Sequence, residues 1–231
     1  MNEVEQIRNR LQAIASYIDS GNYRPGGWQA VIADADELPL DEKQDLAPEV
    51  TKVSRQLHQR HGFVCVGFRI GYAVELILLI AGSFAIAADS LVTNLIGIFC
   101  FALCLQPLIK ISVGLMLGVR YDYAYLWYIE PRFKMQYGSY FLLTHGQRVL
   151  LNLLGSTGTP IAMFIGFIIL TPHNEWLGHA ALILFVLATL MQVAAFIAEW
   201  MGVRMLGPFR LSQLTTPATA AAELKKLTRK V

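Results

Sequence analysis

Two carboxylates and an imidazole, Asp122, Glu130 and His145, sit in one connection between long apolar runs, close to Arg132 and Lys134. These residue types could run acid–base chemistry on a lipid headgroup held by the two cations. No spacing forces the three together, so pairing of Asp122 and Glu130 with neighbouring Arg and Lys is the plainer expectation. A second group lies inside the apolar runs. Glu75, in "GYAVELILLIAG", falls near mid-depth, while Arg69, Lys110 and Glu199 fall nearer one boundary. Ionisable groups at such depth are costly and turn toward a bundle interior or a wet cavity. The expectation is a network joining Glu75 to Arg69 or Lys110, and Glu199 to Arg204. It would be either a charge-compensated seam or the lining of a ligand or ion pathway.

Other sets are too small for a metal centre. His58 and His61 supply two ligands at i, i+3, and Cys100 and Cys104 share a helix face without a third donor nearby. His173, Glu175 and His179 flank a turn, where interfacial hydrogen bonding is the simpler role. The chain lacks G-x-S-x-G, Walker, H-E-x-x-H, G-x-G-x-x-G and C-x-x-C patterns. Neither a metal nor a cofactor is expected.

The elements that must position these residues follow from composition. Of 231 residues, 55% are hydrophobic and 16% charged, against roughly a quarter charged in soluble domains. Apolar runs at about 63–88, 91–118, 149–170 and 177–206 each reach the length of about 20 residues that crosses a bilayer. The charged opening "MNEVEQIRNRLQAI" does not resemble a secretory leader, so the first run is expected to act as an uncleaved insertion signal. Lys and Arg are missing from "ADSLVTN" and "TPHNEW" and gather in the N-terminal region, the 119–148 connection and the tail. That bias puts both termini on the cytoplasmic side of a cell (inner) membrane, with two short external loops. The fold class expected is an all-α integral membrane protein: a four-helix transmembrane bundle, 63–206, with a cytoplasmic helical N-terminal cap, 1–62, and a basic tail, 207–231.

The connection "RYDYAYLWYIEPRFKMQYGSYFLL" packs nine aromatic residues and five charges between the second and third runs. Tyr121, Tyr125 and Tyr128 stand at i, i+4, i+7, which predicts that the second helix continues past the bilayer until Pro131 stops it. With Trp127, these rings suit the headgroup layer, where Arg132 and Lys134 could meet lipid phosphates. In the N-terminal region Val4, Ile7, Leu11, Ile14 and Ile18 form one helical stripe, and Leu46, Val50, Val53 and Leu57 another, with Asp41 a candidate N-cap. "THGQ", from Thr144 to Gln147, fits a capping box that starts the third span. "GSTGTP", ending in Pro160, predicts a kink within it, with a ligand-facing break as the alternative. The basic end "ELKKLTRKV" suits anionic lipid better than nucleic acid.

Three functions are compatible with these residues. The first is an accessory or assembly subunit, or a lipid-binding membrane protein, acting at the cytoplasmic face. It would engage the bilayer, anionic headgroups and a protein partner or a second copy. The second is a small oligomeric transporter or channel using Glu75. The third is a headgroup-modifying enzyme using Asp122, Glu130 and His145.

Overall fold

The computed structural model describes residues 2–24, 26–127, 130–203, 205–206, 209–210 and 215–229. Among these the chain is mostly helical, and four segments are long and apolar enough to cross a membrane: Phe68–Ala87, Leu91–Met116, His145–Leu170 and Glu175–Met201. Their outward faces carry exposed apolar side chains such as Ile77, Phe84, Phe99 and Met191.

Three helices precede the bundle: α1 (Glu3–Asp19), α2 (Gly27–Ala35) and α3 (Leu40–Gln59). The two stripes read from sequence close on each other. Ile7, Leu11, Leu46 and Val50 are buried in one core with Val31, Ile32 and Ala35 of α2. Phe141, from a short helix α6 (Tyr137–Phe141), completes that core, so the N-terminal helices are closed by a residue from the middle of the chain. The N-cap of α3 is Pro39, not Asp41, which lies in the first turn instead.

The first span begins after a short strand, β1 (Cys65–Gly67), and forms α4 (Phe68–Ala87); the second forms α5 (Leu91–Met116). Helix α5 does not continue into the aromatic connection. Gly118 takes φ +85°, and the Val119 N–H reaches the Gly114 carbonyl at 2.8 Å while the Gly118 N–H reaches that of Leu115 at 3.0 Å. This pair of bonds satisfies the last carbonyls and turns the chain away, a left-handed stop that suits glycine. The connection is instead a hairpin, β2 (Tyr121–Trp127) and β3 (Glu130–Met135), with β1 adding a third antiparallel strand to β2. The aromatic residues alternate at 121, 123, 125 and 127 as well as recurring every four, and the strand period wins because Gly118 has already ended the helix. Tyr128 lies outside the described residues.

Where the sequence predicts a kink, the third apolar segment is divided into two helices, α7 (His145–Leu154) and α8 (Gly158–Leu170). Thr144 and Gln147 form the expected capping box. At the break, Ser156 Oγ donates to the Leu153 carbonyl at 2.7 Å and Thr157 Oγ1 to that of Leu154 at 2.8 Å. Gly158 lets α8 approach the α5 backbone at Gln106, where a Cβ would collide with main-chain atoms. The last span is α9 (Glu175–Met201), followed by two short paired strands, β4 (Met205–Leu206) and β5 (Phe209–Arg210). His173 Nε2 stands 3.1 Å from Asp89 Oδ1, so the two short interspan loops meet at one end of the bundle.

The basic C-terminal segment is helical. It forms α10 (Thr216–Arg229), and Ala218, Ala220 and Ala221 are buried. The Lys225 ammonium donates to the Trp200 carbonyl at 3.2 Å, near the C-terminal end of α9, where that dipole favours a cation.

Two substitutions test this construction. Leu11→Ala, at a side chain with 0% exposure, should cost about 2–5 kcal/mol in chemical denaturation of the detergent-solubilised chain. Gly118→Val should cost about 1–2 kcal/mol, because a β-branched residue resists the left-handed conformation. Wild-type stability in the second variant would show that the turn after α5 does not depend on glycine.

Candidate functional site

The register of the hairpin decides which of its side chains act together. Tyr123 pairs with Lys134 and Tyr125 with Arg132, so these four share one face of the sheet. A register shift between Tyr121 and Tyr123 puts Tyr121 on the opposite face, beside Met135. There Tyr121 stacks on Phe68 at 5.4 Å between ring centres and donates to the Lys110 carbonyl at 3.2 Å. Tyr121 is therefore a buried core residue rather than a headgroup contact. Tyr125 packs against His58 at 4.4 Å, and the Trp127 side chain lies outside the described residues.

The charged face of the sheet lies against α3. The Arg55 guanidinium donates twice to Asp122, at 2.7 and 3.1 Å, and Gln136 donates to the same carboxylate at 2.9 Å. This pairing raises the Arg55 pKa above its ordinary value. Lys134 Nζ donates to Ser54 Oγ at 2.8 Å. Burial draws the Lys134 ammonium down to about 8, against the opposing pull of Asp122. His58 Nδ1 and the Tyr123 hydroxyl are 2.9 Å apart. Burial, reinforced by the charges of Lys134 and His61, lowers the His58 imidazole to about 4.

A buried ion cluster lies on the other side of α6. Asp36, the C-cap of α2, receives both terminal nitrogens of Arg148 at 2.8 and 2.9 Å and the Lys226 ammonium at 2.9 Å. Burial alone would raise the Asp36 carboxyl, but the hydrogen bonds and charges of Arg148 and Lys226 hold it well below the carboxylate range. Arg148 also donates to the Phe141 carbonyl at 2.6 Å. Glu223 of α10 lies 2.7 Å from His145 Nδ1 and accepts from Lys226 at 3.4 Å and from Arg148 at 3.5 Å. Asp36, His145 and Glu223 are close enough together to hold a metal ion. Their chemistry argues against it, because Arg148 and Lys226 already supply two positive charges to the two carboxylates.

Between the hairpin and this cluster opens a cavity of about 770 Å³. Lys110, Arg132 and Lys134 reach its wall, with Gln106, Asn152, Ser156 and Gln192 from the spans and Thr216 and Glu223 from α10. Asn152 is oriented by bonds to the Arg148 carbonyl at 2.8 Å and the Tyr140 hydroxyl at 3.2 Å. Gln192 donates to the Ser156 carbonyl at 2.6 Å across the break between α7 and α8.

The residues expected to act together divide among separate places. Asp122 belongs to the Arg55 pairing and His145 to the Glu223 cluster, and the Glu130 side chain lies outside the described residues. Among the described residues, no ion pair joins Glu75 to Arg69, which is exposed at the start of α4. Glu75 is 1% exposed with Oε2 unpartnered, on the α4 face whose Tyr72, Leu78 and Leu79 pack against Cys104 and Phe101. Lys110 instead serves the cavity wall. Glu199 is buried with Oε2 unpartnered, and Arg204 lies outside the described residues. Sequence reasoning missed Asp36, Arg148, Glu223 and Lys226 altogether. A hint was present in Arg148, which stands directly before the apolar run that begins at 149.

Arg148→Met leaves the buried Asp36 without its guanidinium and should cost about 3–5 kcal/mol in chemical denaturation, with Asp36→Asn in the same chain recovering part of the loss. A single variant as stable as wild type would rule out the cluster as a structural tie. For His58, the unfolded chain protonates near 6.5 and the folded chain only near 4. Its contribution is therefore complete above about pH 6.5 and is lost as pH falls toward 4. His58→Gln should flatten that part of the stability profile, and an unchanged slope would refute the assignment.

Comparison of the chain with protein families, with characterised proteins and with solved structures finds no match.

Proposed function

We propose that the protein is a lipid-binding membrane protein. It spans the bilayer four times, with both termini and the cavity on the cytoplasmic side, and the cavity takes the polar end of a lipid. One observation carries this reading: a cavity of about 770 Å³ lined by cations, amides and hydroxyls where the hairpin meets the ends of the spans. That volume is typical of a small-molecule site. The gathering of Lys and Arg in the segments around it supports the cytoplasmic assignment.

The subunit reading loses its main argument, since the apolar stripes that asked for a partner are buried against each other and Phe141. The enzymatic reading is weakened by the division of Asp122 and His145 between two networks. A small transporter using Glu75 remains a second reading, favoured by the burial of that carboxylate without a partner for Oε2. It requires that Glu75→Gln abolish flux in liposomes while the chain stays folded.

Extraction into nanodiscs followed by native mass spectrometry tests the first reading. Wild type should retain lipid at one per chain above the bulk composition. Ser156→Phe, which fills the cavity from the break in the third span, should release it, while Ser156→Ala keeps it. A wild-type chain with no retained lipid removes the proposal.

A further inference from the structure

Resting on the reading of four membrane spans, we infer that the hairpin sheet is an in-plane membrane anchor. The part of its apolar face that α4 leaves uncovered, Val66 and Leu126, lies among the lipid chains of the leaflet in which α4 begins.

The pairing of the strands gives the sheet two unlike faces. Residues directly opposite in antiparallel strands project to the same side, and successive residues project to opposite sides. Cys65, Tyr125 and Arg132 stand in one row, and Gly67, Tyr123 and Lys134 in another, both on the side that meets α3. Val66, Ala124 and Phe133 form the row between them, and Leu126 with Pro131 the next row outward, on the other side. Every side chain in those last two rows is apolar. The inner part of this face is occupied, because Ala124 and Phe133 rest on α4 at Gly71, where a Cβ would crowd both. The outer part is bare: Val66 is 44% exposed and Leu126 is 56% exposed. The sheet overhangs the helix that supports it.

Covalent connection fixes what the bare part meets. Strand β1 runs directly into α4 at Phe68, so at about 3.3 Å per strand residue Val66 lies within about 7 Å of the start of a span. Four residues after Val66, Ile70 opens the exposed stripe Ile70, Val74 and Ile77, spaced i, i+4, i+7 along the lipid-facing side of α4. Val66 and Leu126 extend that apolar surface sideways from the span. An amphipathic element at this level settles between headgroups and chains, its apolar face sunk by about 5–10 Å. Only three residues form the edge strand β1, so few unpaired backbone groups come near the apolar layer. On the opposite face Arg55 donates to Asp122 and Lys134 donates to Ser54, which fastens α3 to the sheet. The sheet thus has lipid on one side and the helical cap on the other.

The test is site-directed spin labelling of the full chain in phosphatidylcholine liposomes. Oxygen reports collisions from the lipid, and a water-soluble nickel chelate reports collisions from solvent. Labels go one at a time on Val66→Cys, Leu126→Cys, Ile77→Cys and Tyr17→Cys in a Cys65→Ser, Cys100→Ser background, and on the native Cys65 in the Cys100→Ser chain. Cys104 is fully buried and stays unlabelled. Exposed Ile77 on α4 gives the lipid reference, and exposed Tyr17 on α1 the water reference. Val66 and Leu126 should resemble Ile77, with a ratio of oxygen to nickel collisions severalfold above that at Tyr17. The exposed Cys65, one residue away on the other face, should stand close to Tyr17. Nickel access at Val66 and Leu126 equal to that at Tyr17 overturns the anchor. So does protection from both agents, which would put protein on this face, and so do lipid-like values at Cys65, which would immerse the sheet edge-on. In each of these outcomes a lipid-like Ile77 leaves the four spans standing. If Ile77 is itself open to nickel, the four-span reading falls and the anchor with it.

Discussion

The pairing of Asp36 with Arg148 is the constraint on which the rest of the structure depends. The two residues are 112 positions apart, and each is only 3% exposed. A charge removed from water is tolerated when its partner and its remaining hydrogen bonds are in place. Arg148 therefore needs the corner between α2 and α3, the carbonyl of Phe141 and α10 all seated at once. Phe141 also closes the N-terminal hydrophobic core, so apolar burial and charge pairing enforce the same arrangement. The cluster forms one side of the cavity through Glu223, which means that the cavity exists only when these distant segments are assembled.

The hairpin provides the opposite side, and its own geometry follows from two local events. Gly118 ends α5 before the aromatic connection begins, and the register shift after Tyr121 turns that ring inward while leaving Tyr123 and Tyr125 on the other face. Ala124 and Phe133 then lie close against α4 at Gly71, which has no Cβ to hold them off. The aromatic load of the connection is thus divided. One part packs the sheet on the bundle, and the other surrounds His58 and joins the sheet to α3. The charges remain at the edge of this packing, where Arg132 and Lys134 face the cavity.

Buried polar atoms without a hydrogen-bond partner occur in the N-terminal helices, at Gln29 Oε1, Glu49 Oε2 and Gln56 Oε1, as well as in the long apolar helices. Around Asp36 and Glu223 every carboxylate has two or more donors. Within the spans, Glu75 Oε2, Glu199 Oε2 and both amide atoms of Asn94 are buried without a hydrogen-bond partner. Unsatisfied groups of this kind are rare where they serve packing alone. Glu75 is therefore the natural second site of interest, although it lies on an apolar helix face away from the cavity cations.

The sequence by itself determined the four long apolar segments, the N-terminal stripes and the Thr144 capping box, and it marked "GSTGTP" as an irregularity in the third of those segments. Each depends on residues within a few turns of one another, where hydrophobic period and hydrogen-bonding side chains decide the outcome locally. The hairpin was ambiguous in the sequence, because tyrosines at 121, 123 and 125 satisfy a strand period while 121, 125 and 128 satisfy a helical one. The deciding signal was Gly118, outside the pattern itself. The ion cluster and the cavity were decided only by the tertiary structure. Asp36, Arg148 and Glu223 are ordinary surface-type residues when taken singly, separated by 112 and 75 positions. No local rule pairs them. Long-range packing of α2, α7 and α10 brings them together, and desolvation then makes each indispensable to the others.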